Sequence, residues 1–342
     1  MFIRDKSLSY FKALLLGLLV QFGSAAAMAG QADWTEFKMR FVLGEGRVVD
    51  VGNGGISHSE GQGVTMLLAV HYNDQKTFDR LWQWTQTSLQ VRKDHLLAWR
   101  WTTKQGVNDF NNATDGDLYV AWALLRASDK WRVPAYKVAA EAILTDVKRL
   151  LVKQSKWGPV ILPGASGFEK PAGQIVNLSY WVFPALNDFS RYAPDPIWDQ
   201  LSESGIALIR ESHFGKWQLP TDWVQLGSKV TPAPGFTAQF GYDAARVPFF
   251  LMWGKKAHAN LLAPFQAFWG YYQKTPYLPP TVSVENDAVA PYGAAPGILN
   301  IADLTCRYPA LPTRPDYPIN TQDYYSATLL LLADMMVGEL AR

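Results

Sequence analysis

Asn111-Asn112-Ala113-Thr114-Asp115-Gly116-Asp117-Leu118 is the stretch whose reading decides the fold. A polar segment ends here and an apolar run begins. Thr114 or Asp115 is suited to cap a helix starting near Gly116. From there Leu118, Ala121, Trp122 and Leu125 recur at helical spacing. A carboxylate at such a junction meets the positive end of the helix, which favours its ionised form. Asp115 therefore reads as an ionised aspartate fit for gripping hydroxyls, and Asp117 as a structural cap. A calcium loop is excluded, because the full ligand pattern and its distal Glu are absent.

The same grammar repeats outward from this stretch. Phe78 to Leu89, Val138 to Val152, Ile197 to Ile209 and Tyr324 to Leu340 all carry apolar residues at i, i+3, i+4. Strand alternation is sparse, apart from pieces such as Gly158 to Pro163. Long loops rich in Gly, Pro, Asn and aromatics separate the helices: 48–60, 99–114, 159–179, 231–242 and 276–296. Loops of that length usually work for their place. Nothing divides the chain after its first thirty residues. The expectation is one all-α domain over 30–342, a helical toroid with one ring of helices inside another and long functional loops.

Two more carboxylates sit at loop-to-helix junctions. Ser57-His58-Ser59-Glu60-Gly61-Gln62-Gly63 puts Glu60 in a glycine-flanked turn before the apolar run Val64 to Val70, with Ser57 or Ser59 available as a cap. Phe240-Gly241-Tyr242-Asp243-Ala244-Ala245-Arg246-Val247-Pro248 puts Asp243 before a helix, with Arg246 three residues on to orient it through a charge-assisted bond. Each alone reads equally as a helix cap. In a ring of helices, however, N-terminal ends can open onto one face, where Glu60, Asp115 and Asp243 would converge. Two carboxyl groups across a sugar linkage are the minimal machinery for glycoside hydrolysis.

Composition agrees with such a partner. The chain has 14 Trp, and Trp is a poor filler because its buried N–H needs an acceptor. Flat aromatic faces suit the apolar C–H faces of sugars, although any single Trp can equally be core. The first thirty residues read as an export signal: Arg4, Lys6 and Lys12, then apolar Ala13 to Val20, then Ala27-Met28-Ala29 as a cleavage site. Cleavage near Ala29 would leave a nearly neutral mature chain, which argues against nucleic acid as a partner. No later segment is long enough to span a membrane. Cys306 is the one cysteine, so no intrachain disulfide is available, as in many periplasmic proteins.

At this point the chain resembles glycoside hydrolase family 8, and within it the periplasmic endoglucanases associated with bacterial cellulose synthase. The resemblance runs over nearly the whole mature chain. Its long signature is met by Ala113 to Asp117, Ala121, Ala123, Leu124, Leu125, Ala127 and Trp131, with Val120 where Ile or Met is usual. Ser59 to Gly63 matches the segment of the family's general acid, which implies that role for Glu60. Tyr242-Asp243-Ala244 with Arg246 matches the segment of its general base, which implies that role for Asp243. Asp115 matches an aspartate assigned as nucleophile or as substrate-gripping residue. The pattern usually continues Gly-Tyr-Gly-Met, where this chain has Gly63-Val64-Thr65-Met66. The resemblance implies an (α/α)6 barrel and an inverting endo-β-1,4-glucanase acting on cellulose or cello-oligosaccharides, periplasmic or secreted, with the cellulose synthase complex as a conceivable partner.

Further candidates for substrate contact are Trp99, Trp101, Asn112, Tyr180, Tyr324, Tyr325 and Arg246. Tyr180 lies in Asn177-Leu178-Ser179-Tyr180-Trp181, and the tyrosine pair in Asp323-Tyr324-Tyr325-Ser326; both resemble substrate-side segments of the family. Trp99 and Trp101 read as a sugar platform or as core. His58 reads as surface or as a group that tunes Glu60. His58, His71, His95, His213 and His258 form no metal-ligand spacing, so neither a metal nor another cofactor is expected. A G-x-S-x-G elbow is lacking, which excludes that class of serine hydrolase. Gly44-Glu45-Gly46 and Gly52 to Gly55 lack the strand-turn-helix setting of a nucleotide site. Three alternatives stay open: a xylanase of the same fold, a chitosanase of the same fold, or a non-catalytic glycan-binding assembly factor.

Overall fold

Two kinds of helix alternate along the chain, and their sequences differ. In a computed structural model, residues 30–341 are described; the export-signal reading of 1–29 lies outside them. Helix α1 covers 30–41. It is followed by α2 (Ser59–His71), α3 (Gln75–Ser88), α4 (Thr114–Trp131), α5 (Pro134–Asp146), α6 (Phe183–Tyr192), α7 (Ile197–Glu211), α8 (Val247–Trp253), α9 (Ala259–Tyr272), α10 (Pro296–Arg307) and α11 (Tyr324–Leu340). Helices α2, α4, α8 and α11 are buried on nearly every side. Helix α3 buries one stripe, Thr77, Phe78, Leu81, Trp82, Trp84 and Thr85, and keeps a polar outer face. An all-round apolar helix belongs inside and an amphipathic one outside.

The packing follows that rule. Helix α2 packs on α4, α4 on α6, α6 on α8, α8 on α10, α10 on α11, and α11 returns to α2. That closed circuit is the inner ring. Helices α3, α5, α7 and α9 each pack outside the inner helix that precedes them. Helix α1 covers the closure, with Phe37 and Phe41 against Tyr324 and Trp34 stacked on Tyr72. No α-helix separates α10 from α11; residues 310–318 run there without regular structure and lead into a 3-10 turn, Ile319–Thr321. The architecture is an (α/α)6 barrel.

Glycine sets the tightest joint of the ring. A Cβ on Gly116 would lie 2.1 Å from Ser59 Oγ and 2.7 Å from the Glu60 nitrogen. One on Gly63 would lie 2.6 Å from Tyr119 Cβ. Without those atoms, α2 and α4 meet backbone to backbone, which brings Glu60 and Asp115 side by side.

The structure departs from the sequence expectations in several places. Strands β1 (Ser57–His58) and β2 (Arg100–Trp101) pair antiparallel beside Glu60. Strands β3 (Val152–Ser155) and β4 (Gly158–Ile161) form a hairpin. Strands β5 (Glu169–Lys170), β6 (Gly173–Val176), β7 (Val224–Leu226) and β8 (Val230–Pro232) form a four-stranded sheet where loops were expected. Strands of two to four residues are too short to show alternation. Strand β9 (Gln239–Phe240) pairs with β10 (Val282–Ser283) just before Asp243. Neither serine caps α2; His58 does, its Nδ1 accepting from the Gly61 N–H at 3.0 Å. Helix α4 begins at Thr114 after an uncapped Ala113, because the Thr114 hydroxyl donates to the Leu162 carbonyl instead. Asp117 is no cap either; its oxygens accept from Leu97 N–H and Asn112 Nδ2. Asp243 precedes a 3-10 turn, Ala244–Arg246, and α8 starts only at Val247.

Candidate active site

Five of the six inner helices present residues at their N-terminal ends to one cavity. Glu60 is the second residue of α2 and Asp115 the second of α4. Tyr180 precedes α6, Arg246 immediately precedes α8, and Tyr324 and Tyr325 open α11. All six line a cavity of about 260 Å³, together with Trp99, His58 and Asp50 at its mouth and Val64, Tyr119 and Leu332 at its floor. Helix N-termini carry partial positive charge and unpaired N–H groups, so the shared pole suits acidic side chains.

Arg246 organises the carboxylates. Its side chain is buried, with Nη1 donating to Glu60 Oε1 and Nη2 donating to Asp243 Oδ1 at 2.7 Å. Nη2 also donates to Ser179 Oγ at 3.2 Å. Asp243 sits at the rim, its second oxygen accepting from Asn177 Nδ2 at 2.7 Å. Asn177 is held in turn, its Oδ1 accepting from the Ser179 N–H and hydroxyl at 3.0 and 2.8 Å. Glu60 and Asp243 remain about one-third exposed, at 30% and 31% of their side chains. Two carboxylates thus lean on the two arms of one guanidinium, with access to solvent between them.

Asp115 behaves differently from the expectation. Its carboxyl is buried and pushed well above the usual carboxylate range, first by desolvation and then by the charge of Glu60. Arg246 pulls the other way but is already engaged by Glu60 and Asp243. Asp115 accepts one hydrogen bond, from the Gly116 N–H at 2.8 Å. The helix end is outweighed by burial beside two other acids, so the reading of Asp115 as an ionised gripper is corrected to a carboxyl held toward its neutral form. Burial disfavours the charge on Arg246, and Glu60 and Asp243 more than restore it, holding its pKa well above the usual value. Tyr180 and Tyr325 are raised by burial, so both stay phenols; the Tyr325 hydroxyl already donates to the Tyr242 carbonyl at 2.7 Å, tying α11 to the turn that carries Asp243.

Three residues named from sequence are not among the cavity's lining, Asp243, Trp101 and Asn112, and Asp243 is tied to it through Arg246. Trp101 lies in β2, edge-on to Trp84 at 5.6 Å with the Arg47 guanidinium over its ring. Asn112 is buried; its amide donates to Asp117 and its oxygen accepts from the Ala165 N–H, both at 2.7 Å. The spare hydrogen-bonding capacity that a substrate contact needs is taken up in tying the loop to α4. Trp99 does line the cavity, its ring fixed by an indole N–H bond to Asp109 at 2.8 Å. Among the described residues no group of His, Cys, Asp and Glu could hold a metal ion, and no helix is long and apolar enough to cross a membrane.

Comparison with known proteins fits this geometry. The pattern of Glycosyl hydrolases family 8 matches residues 8–339. The chain belongs to glycoside hydrolase family 8. A probable endoglucanase of Novacetimonas hansenii is 41% identical over 318 residues, covering 91% of this chain and 92% of its own. An endoglucanase of Cellulomonas uda is 38% identical over 283 residues, covering 82% and 78%. Among solved structures, an endo-β-1,4-glucanase of Acetobacter xylinum superposes with a TM-score of 0.82 at 39% identity, covering 93% of this chain and 99% of that one. An endoglucanase of Klebsiella pneumoniae gives 0.83 at 37%, covering 91% and 100%.

Within this family 8 hydrolase, sequence reasoning passed over Asn177, Ser179 and Asp222. Asn177 and Ser179 lie in the very segment that yielded Tyr180, but their partners, Asp243 and Arg246, are sixty-six and sixty-seven residues away. Asp222 left none: its partners are backbone N–H groups of Gly241 and Ala244, nineteen and twenty-two residues away.

Proposed function

We propose that this glycoside hydrolase is an inverting endo-β-1,4-glucanase in which Glu60 is the general acid and Asp243 the general base. One observation carries the reading: Arg246, which lines the cavity, bonds both Glu60 and Asp243. Glu60 Oε1 is occupied by Arg246, which leaves Oε2 to hold the proton for the glycosidic oxygen. Asp243 takes a proton from a water as that water attacks the anomeric carbon from the opposite face. The C–O bond to the leaving sugar breaks, Glu60 ends as carboxylate and Asp243 as acid. Before and after the step the pair carries one negative charge, and Arg246 faces both halves. The guanidinium therefore balances the charge wherever it sits, and little reorganisation is needed as it moves.

Asp115, held toward its neutral form, can donate to a hydroxyl of the central sugar as well as accept from one. Trp99 offers a ring face beside the cleft, Tyr180 offers a phenol donor, and Tyr325, its proton given to the Tyr242 carbonyl, offers an acceptor oxygen. Endoglucanase names among relatives that share 38–41% identity support the β-1,4-glucan substrate. The export-signal pattern of 1–29 supports a periplasmic or secreted site of action. Resemblance to the cellulose-synthase-associated group extends the proposal to glucan in the course of export.

Proton NMR of fresh product tests the chemistry. Initial α-anomer is expected; initial β-anomer refutes inversion. Reducing-sugar release from carboxymethylcellulose, xylan and chitosan tests the substrate, with carboxymethylcellulose expected to be cut fastest.

A further inference from the structure

Asp222 has no place in the chemistry above and does not line the cavity, yet it grips the turn that carries Asp243. Its Oδ1 accepts from the Gly241 N–H at 3.0 Å and from the Ala244 N–H at 2.8 Å. These donors bracket Asp243, two residues before it and one after. The Asp222 N–H donates to the Gln239 carbonyl at 3.0 Å, and the Gln239 side chain bonds back to the carboxylate. Gly241 makes the grip possible, since a Cβ there would lie 2.2 Å from Asp222 Oδ2. Alanine at 241 would push the carboxylate off the turn.

Asp222 is itself well anchored. It immediately precedes Trp223, which stacks on Phe236 at 4.5 Å and on Phe168 at 5.7 Å. Strand β7 follows and pairs on both sides, with β6 and β8. A rigid four-stranded sheet therefore ends in a carboxylate that holds a turn with no helix of its own. The sheet lies far in sequence from the acids on α2 and α4, but through Asp222 it fixes the third.

We propose that Asp222 is the positioning residue for Asp243: by accepting from the Gly241 and Ala244 N–H groups it holds the 241–244 turn so that the Asp243 carboxylate meets Arg246. The inference rests on the reading of Asp243 as the base. The groups that face Asp222 are Asp243 on the turn, Gln239 on β9, the two turn N–H groups and the Tyr325 phenol from α11; Arg246, farther along the turn, is committed to Asp243 and Glu60. Burial, then the charge of Asp243, push the Asp222 carboxyl up to about 7, against the pull of its N–H donors. A folded site that raises an acid's pKa prefers its protonated form. Its contribution is thus complete below the ordinary value of 3.8 and is lost as pH rises through about 7.

The test compares Asp222→Asn, Asp222→Ala and Asp243→Asn by kcat and KM on cello-oligosaccharide. Asparagine keeps the Oδ1 acceptor and removes the charge; alanine removes both. Asp222→Ala is expected to lose kcat by about 10- to 100-fold, the scale of a small misplacement of a reacting group, with KM changed less than about three-fold. Asp222→Asn, which keeps the Oδ1 acceptor, is expected to keep most of the wild-type kcat. A kcat for Asp222→Ala within two-fold of wild type overturns the proposal, as does an Asp222→Asn loss as large as that of alanine. If Asp222→Ala fails to fold, Gly241→Ala, which crowds Asp222 Oδ2, takes its place, and a kcat within two-fold of wild type there overturns the proposal. Should Asp243→Asn stay active, the reading of the base has failed; should it be inactive while Asp222→Ala is not, only the positioning role has failed.

Discussion

The barrel has an arginine between two acids at each of its poles, Arg246 buried and Arg126 half-buried, and the two clusters are finished differently. At the pole of helix C-termini, Arg126 on α4 donates from Nε to Asp188 on α6 and from Nη1 to Glu339 on α11, both at 2.5 Å. Its Nη2 also reaches Glu339, and the indole N–H groups of Trp122 and Trp253 satisfy the same two acids at 2.6 and 2.7 Å. Every arm of that guanidinium is used. At the other pole, Arg246 serves Glu60 and Asp243, its Nε finds no partner, and a third acid, Asp115, lies beside them without a cation of its own. The closed cluster clamps four inner helices together. The open one keeps charge and hydrogen-bonding capacity in reserve, which is what a site that must bind and react requires.

Substitutions should separate the two poles cleanly. Glu60→Gln is expected to lower kcat by about 1,000-fold or more, since proton donation by a positioned acid is worth two to four orders of magnitude, with Tm unchanged or raised. Near-wild-type turnover would sink the assignment of Glu60. Arg126→Ala should do the opposite in kind. Leaving the half-buried Asp188 and Glu339 without a cation should cost about 1–3 kcal/mol, read as a fall in Tm with the KM of the remaining folded protein preserved. The same Tm in both proteins would remove the contrast between the poles.

A second pair sharpens the boundary of the cleft. Trp99→Ala should raise KM about 10-fold, the loss of roughly 1.4 kcal/mol of stacking. Trp101→Ala should leave KM within about two-fold and lower Tm, because its ring packs on Trp84 and Arg47. Equal effects on KM would return Trp101 to the cleft. Behind that boundary Asp117, raised to about 7 by burial, predicts a pH signature. Its contribution to stability is complete below 3.8 and lost as pH rises through about 7. The Tm difference between wild type and Asp117→Asn should therefore move in favour of the variant between about pH 4 and 7; a constant difference refutes it. The smallest effect belongs to His58. Alanine there should cost about 1 kcal/mol as a lost cap, and asparagine should restore most of it. Failure of asparagine to restore would mean that the imidazole acts by something other than capping.

The ring of helices and the three acids were legible because their signals are local. A helix start, a capping pattern and an apolar repeat are all written within ten residues, as at Asn111 to Leu118 or Tyr242 to Pro248. The parts that were not legible depend on distant backbone. Asp222 speaks only to N–H groups of another segment, the four-stranded sheet is made of strands too short to alternate, and Asn177 shows its purpose only once Asp243 lies beside it. Trp101 and Asn112 were misread for a related reason. Asn112 adjoins a lining residue, Ala113, but bonds Asp117 and Ala165; Trp101, two residues past Trp99, is packed between Trp84 and the Arg47 guanidinium. The ionisation of Asp115 was misjudged because a helix end can be read from sequence, whereas the company of Glu60 and Asp243 cannot.

The circuit of inner helices closes only when α11 returns to α2, and that same helix delivers Tyr324 and Tyr325 to the cleft. A chain cut before α11 would keep both halves of the acid pair but lose the wall that Tyr324, Tyr325, Thr328 and Leu332 give the groove. Such a truncation, sparing Glu60, Asp115 and Asp243, is expected to be as disabling as the loss of one.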